Sequence, residues 1–162
     1  MKKEILILLF ISVILLSPCY SYRIQPKEFR KLENHNVQKK AYVINPILEK
    51  EFEILKSSEL FLIVEDSSNV DLSIKLYPIR KYRRGGNGTI CSMTMFTLMQ
   101  IPCFNASSYK FKFVEIYKNS IKENDIELHI NKRIWFWDFL SFNKRFEEKA
   151  GKALLGMYNK DE

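Results

Sequence analysis

The sequence predicts an α+β domain: an antiparallel sheet of about four to five strands, with an N-terminal and a C-terminal helix packed on one face. Three observations carry this. Apolar residues recur at helical spacing near residue 50 (Ile47, Leu48, Phe52, Leu55) and again at the end of the chain (Phe146, Ala150, Ala153, Leu154, Met157). Between them, three stretches alternate apolar and polar residues, around Leu72/Ile74/Leu76, Tyr109/Phe111/Phe113 and Ile126/Leu128/Ile130. Short connections join those stretches, and helices outside a run of strands imply an α+β layering.

The elements follow in order. Asn45-Pro46 is read as the start of the first helix, with Asn45 as cap and Pro46 in the first turn, and Ser57-Ser58 as its end. Leu60 to Glu65 is a short apolar run, read as a buried strand, and Asp66-Ser67-Ser68-Asn69 is turn chemistry. The strand at Leu72 to Leu76 ends near Pro78. Arg80 to Gly88 reads as a basic, glycine-rich loop, and Asn119 to Asp125 as a turn between the last two strands. The domain so defined spans 46–160, preceded by a polar basic arm at 22–45 carrying Lys27, Arg30, Lys31, Lys39 and Lys40.

Residues 1–21 read as a secretory signal. Lys2 and Lys3 precede a nearly unbroken apolar run from Ile5 to Leu16, closed by Ser17, Pro18 and Cys19. The run is too short for a membrane span, which needs roughly 20 apolar residues. Two exits are open. Cleavage after Ser21 starts the mature chain at Tyr22. Reading Leu16-Ser17-Pro18-Cys19 as a lipobox instead places the cut before Cys19, whose thiol then carries a lipid; each buried methylene contributes about 0.8 kcal/mol of membrane affinity. Either exit places the protein outside the cytosol, in the periplasm or at the cell surface, lipid-anchored or secreted and soluble.

Removal of the signal leaves about 140 residues, one domain's worth. The full chain carries a formal charge of +7, of which Lys2, Lys3 and Glu4 account for +1, leaving +6. A basic exported protein meets anionic lipid head groups or acidic polymers rather than nucleic acid, unless the charge serves solubility alone. Cys91 and Cys103, twelve residues apart, are expected to form a disulfide outside the cytosol. No metal site is expected, because His35 and His129 lie at ligand spacing neither from each other nor from a cysteine. No cofactor is expected either: Gly85, Gly86 and Gly88 match no phosphate-binding spacing.

Two segments stand out. Ile90 to Phe104 carries no charge and holds Met93, Met95, Phe96 and Leu98; Trp135 to Phe142 holds Trp135, Phe136, Trp137 and Phe139. They are either core or a contact surface at one end of the sheet, suited to a bilayer interface or a hydrophobic partner. Arg80, Lys81, Arg83 and Arg84, with Tyr82 among them, suit anionic head groups or a solvated loop. Asn87-Gly88-Thr89 and Asn105-Ala106-Ser107 fit the glycosylation sequon. For catalysis, His129 sits on the Ile126 to Asn131 strand with Glu127, but no serine or cysteine motif accompanies it.

Thr97-Leu98-Met99-Gln100-Ile101-Pro102-Cys103, followed by the alternating Tyr109 to Tyr117 and the Trp-rich Trp135 to Phe142, resembles a segment order in small bacterial cell-envelope lipoproteins of the spirochaete type. The resemblance spans roughly residues 46 to 158, with Met99 where those proteins usually carry glycine. It implies export and a lipid anchor, and no established activity. The expectation is therefore a non-enzymatic envelope protein, tethered to or contacting membrane lipid through 90–104 and 135–142. The alternatives are a soluble secreted module that binds a host or envelope protein, and a secreted hydrolase using His129.

Overall fold

The structure is a computed structural model that describes residues 20–32, 38–83, 97, 100–135, 138 and 145–161. Its elements are β1 (Tyr20–Gln25), a 3-10 turn (Lys27–Lys31), β2 (Lys39–Val43), α1 (Glu49–Ser57), β3 (Phe61–Val64), β4 (Leu72–Leu76), β5 (Arg80–Arg83), β6 (Cys103–Ile116), β7 (Ile121–Ile134) and α2 (Phe146–Asp161).

These form a mixed α+β fold with a seven-stranded sheet, in the order β1-β7-β6-β4-β2-β3, with β5 also on β6. The expected count of four to five strands and the purely antiparallel arrangement are corrected. β2 runs parallel to both β3 and β4, because α1 carries the chain from β2 to β3, and a parallel neighbour requires such a crossover. β6 and β7 form the long central hairpin, in register from Cys103↔Ile134 to Ile116↔Ile121. β4 and β5 lie end to end beside β6, against residues 113–116 and 107–110. The Tyr77–Ile79 step between them is pinned by Tyr77 N–H donating to Lys112 O and by Ile79 N–H donating to Glu51 Oε1 of α1.

The stretch 22–45, expected to be an arm outside the domain, contributes to β1, contains β2, and is part of the sheet. Ile24, Ala41 and Val43 are buried in the same core as the other strands. Their short runs of two or three inward residues become a pattern only once the neighbouring strands are in place. Asn45 is not a helix cap: α1 begins at Glu49 with Leu48 preceding it, and Ile47 is 89% exposed outside it. Asn45 instead bonds both backbone groups of Leu76, donating from Nδ2 to the carbonyl at 2.9 Å and accepting the N–H on Oδ1 at 2.8 Å. The Leu60 to Glu65 strand is β3, an edge strand with Leu62 half exposed, rather than a buried one. The last hairpin turns at Tyr117–Ser120, closed by Tyr117 N–H on Ser120 O, so residues 121–125 are strand. Their charges hid the alternation, because the hairpin tip is open to solvent, with Ile121 itself 73% exposed.

One core joins sheet and helices. Odd-numbered residues of β6 (Tyr109, Phe111, Phe113) and even-numbered residues of β7 (Ile126, Leu128, Ile130) meet Ile54 and Leu55 of α1 and Ala150, Ala153 and Leu154 of α2. Each large apolar side chain buried this way contributes about 1.5–3 kcal/mol. α2 crosses the sheet. Phe146 near its start packs 5.3 Å from Tyr22 of β1 and 4.8 Å from Tyr109, and Tyr158 near its end packs on Phe61 of β3 and on Phe113.

Candidate functional site

The same alternation that sends odd residues of β6 into the core sends its even residues, with the odd residues of β7, to the other face of the sheet. That face carries Lys110 and Lys112 opposite Glu123, Asp125 and Glu127. The lysines pair diagonally, Lys110 with Asp125 at 2.7 Å and Lys112 with Glu123. The hydrogen bond to its carboxylate raises each lysine above its usual range. A shallow groove of about 400 Å³ runs here between Tyr77, Pro78, Arg80, Tyr82, Lys110, Lys112 and Asp125, and continues along Tyr82 and Lys110 to Glu127.

Arg80 to Arg83 is therefore strand β5 and not a loop. Strand alternation separates its charges: Arg80 and Tyr82 point to the groove, while the Lys81 ammonium lies 5.8 Å from the ring of Tyr109 on the helix side. The expected single head-group cluster is thus divided between two faces. Arg83 is the last residue of β5, and Arg84 lies outside the described residues.

At one end of the sheet the uncharged segment 90–104 meets the start of the Trp-rich segment 135–142. The Trp135 indole N–H donates to the Gln100 carbonyl at 3.0 Å, and the Arg133 guanidinium lies 4.7 Å from the Trp135 ring. Thr97 and Gln100 close a turn before β6 through Gln100 N–H on Thr97 O. Beside it Ile101 is 45% and Phe104 48% exposed. Asp138, almost fully buried, accepts from Ser21 Oγ at 3.1 Å and from both Nε and Nη2 of Arg133. This triangle ties the chain after Trp135 to β1 and β7. Of the other expected contact residues, Met93, Met95, Phe96, Leu98, Phe136, Trp137 and Phe139 lie outside the described residues, as do Cys19 and Cys91. Cys103 is buried at the first position of β6.

His129 has a neighbour that the sequence did not reveal. Ser108 faces it across the hairpin, with Oγ 3.0 Å from Nδ1. Glu127 Oε1 lies 3.8 Å from the same Nδ1. A nucleophile-base-carboxylate relay needs serine and carboxylate on opposite ring nitrogens, whereas here both approach one. Ser108 is also buried, at 3% exposure. The only sequence signal for the pair is the hairpin register, which depends on where the turn falls.

Among the described residues, no three His, Cys, Asp or Glu side chains are grouped to hold a metal ion, and no helix is long and apolar enough to cross a membrane. No protein-family model matches the chain, and no curated protein matches it.

Proposed function

We propose that the chain is a non-enzymatic cell-envelope protein, exported by its N-terminal signal, tethered by a lipid on Cys19, and in contact with the membrane through the end of the sheet where residues 90–104 and 135–142 approach each other. The observation that carries this reading is the Trp135–Gln100 hydrogen bond beside exposed Ile101 and Phe104. An indole with its N–H engaged, a cation against its ring and two exposed apolar side chains suit a bilayer interface.

The start of β1 supports the exit before Cys19. Tyr20 pairs with Ile134, and its ring lies 4.1 Å from the Lys132 ammonium. Ser21 is buried and bonded to Asp138. A cut after Ser21 would remove both residues from the sheet and place a new ammonium at Tyr22, next to Arg23. A cut before Cys19 leaves β1 whole. The resemblance to small envelope lipoproteins points the same way, and a Cys91–Cys103 disulfide fits the exported setting.

Two measurements test the reading. The intact mass of the protein processed in its own host should correspond to a chain starting at Cys19 with acyl groups, rising by two daltons on reduction. Vesicles should shift the tryptophan emission to the blue, and Ile101→Ser with Phe104→Ser should abolish that shift. Absence of vesicle binding by the Cys19→Ser chain, which carries no lipid, would overturn membrane contact. A mass starting at Tyr22 would overturn the tether.

A soluble binding module is the second reading, favoured by the Tyr77–Arg80–Tyr82 groove. It requires binding of an envelope or host protein that persists without lipid. Hydrolysis by His129 is not part of the proposal, because Ser108 and Glu127 crowd one nitrogen of its ring.

A further inference from the structure

At the edge of the sheet, β1, the 3-10 turn and α2 border an open cavity of about 150 Å³ lined by Tyr22, Arg23, Ile24, Arg30, Lys149 and Lys152. It is roomy enough for a phosphate-sized anion. Among the described residues, six line it; four of these are cations, none of them fully exposed, and none is a carboxylate.

Glu147 lies close enough to Tyr22 to act on its phenol, while two other described acids near the cavity are engaged. Asp138 is paired with Arg133, and Glu148 lies 3.5 Å from Lys149. Among the described residues, Arg23, Arg30 and Lys152 have no carboxylate at ion-pair distance. Arg30 is held in place rather than free to swing out, because its Nε and Nη2 both donate to the Ile24 carbonyl, at 3.2 and 3.0 Å. The remaining guanidinium nitrogen is left for another acceptor. Burial, followed by repulsion from Arg133 and Arg30, holds Arg23 below its usual pKa. The fold gathers these cations at one place although their charges oppose it.

We infer that this cavity binds a phosphate group, with Arg23, Arg30 and Lys152 as its principal contacts and Lys149 at the rim. Guanidinium and ammonium groups around a small concavity recognise phosphate oxygens through charge-assisted hydrogen bonds. The group is either a free phosphate or the head group of an anionic lipid. The second source rests on the tether proposed above: Arg23 is four residues from Cys19, and four extended residues reach at most about 14 Å.

The test uses the mature chain from residue 19 with Cys19→Ser, so that no acyl group inserts on its own, titrated with inorganic phosphate and, separately, with phosphatidylglycerol and phosphatidylcholine vesicles. Phosphate should move the amide resonances of Tyr22 to Ile24 and Lys149 to Lys152. Arg23→Gln with Lys152→Gln should weaken binding about tenfold or more, while the charge-matched pair Lys118→Gln with Lys160→Gln should change it less than about threefold. Phosphatidylglycerol binding displaced by free phosphate assigns the site to a lipid head group. Phosphate binding with both vesicle types ignored assigns it to a soluble phosphate; the pocket then stands and membrane contact falls. Absence of phosphate binding, shifts elsewhere, or equal losses in both double variants would overturn the pocket. Vesicle binding untouched by Arg23→Gln with Lys152→Gln would overturn the head-group assignment and leave contact through Ile101 and Phe104 intact. The resonance mapping is made on the Cys19→Ser chain without further substitution, so it holds even if a variant folds poorly.

Discussion

The Tyr158 hydroxyl of α2 donates to Glu115 Oε1 of β6 at 3.1 Å, so the last helix is joined to the centre of the sheet through a fully buried carboxylate. The same carboxylate accepts from Asn124 Nδ2 at 2.7 Å and from the Tyr117 hydroxyl. Three donors from β7, the hairpin turn and α2 therefore converge on one side chain.

Glu115→Leu leaves those three donors facing an apolar group and should lower unfolding stability by about 3 kcal/mol. Tyr158→Phe removes one of the three bonds and should lower it by about 1 kcal/mol. Urea unfolding of the two variants measures the difference. Equal losses would mean that the carboxylate does not act as a shared acceptor.

Gly151 of α2 faces the end of α1 so closely that a Cβ would lie 2.5 Å from the carbonyl carbon of Ser57 and 2.7 Å from its oxygen. Those are backbone atoms of a packed helix and cannot swing aside. Gly151→Ala should cost about 2 kcal/mol, against the roughly 1 kcal/mol gained from helix propensity. At Gly156 the atoms in the way belong to the Phe29 ring. Gly156→Ala can displace that side chain from the 3-10 turn and should cost less. Thermal unfolding should rank Gly151→Ala below Gly156→Ala.

Glu59 follows α1 with φ 56°, the left-handed region where glycine is at ease. Glu59→Gly removes that backbone cost, about 1 kcal/mol, and keeps the carbonyl that accepts from Gln38 Nε2, so stability should rise by that amount less what the Glu59 side-chain contacts contribute. A lower urea midpoint for this variant would show that the glutamate side chain contributes more than its backbone conformation takes away.

How much of this was legible depended on the length of each pattern. β6, β7 and α2 carry three or more inward residues each, such as Phe111/Phe113 or Ala150/Ala153/Leu154, and local periodicity identified them. β1 and β2 carry only a few, flanked by Arg23 or by Lys39 and Lys40, and they become strands through pairing with β7, β3 and β4. The same holds for the sites. Trp135 and Gln100 were each within a marked segment, but their contact spans 35 residues. Ser108 meets His129 only in the observed register. The cation pocket joins Arg23 to Lys152, which no local window contains. β5 reads as a loop in sequence because a glycine-rich stretch continues it, whereas pairing with β6 makes it a strand.

Alkaline pH should weaken the fold through Tyr22 and Tyr109, whose rings flank Phe146. Burial is the main cause raising both phenols above 10.0. The unfolded chain therefore loses these protons first as pH rises. The contribution is fully present below about pH 10, where both states are protonated, and is lost as pH rises through the folded-state values. Lys110 and Lys112 act in the same direction from their own raised values, so the tyrosines must be isolated by substitution. Tyr22→Phe with Tyr109→Phe should show a smaller fall in unfolding stability between pH 9 and 11 than the wild type. An unchanged fall would assign the alkaline sensitivity to the lysine ladder instead.

Asp138 supplies the last prediction, because it ties the tryptophan segment to the strand next to the proposed tether. Its carboxylate and the Arg133 guanidinium are 2% and 14% exposed, so neither is well placed to find water if the other is removed. Asp138→Ala should therefore cost about 3 kcal/mol or more, since it leaves a largely buried cation unpaired. Arg133→Met alone should also be costly, for the converse reason. The double variant removes both charges together and should lose less than the sum of the singles, with a coupling of about 2 kcal/mol. Ser21→Ala, which leaves the ion pair intact, should cost about 1 kcal/mol. Unfolding measured on all four variants closes the cycle. Additive losses would mean that the pair does not hold the chain after Trp135 against β1 and β7.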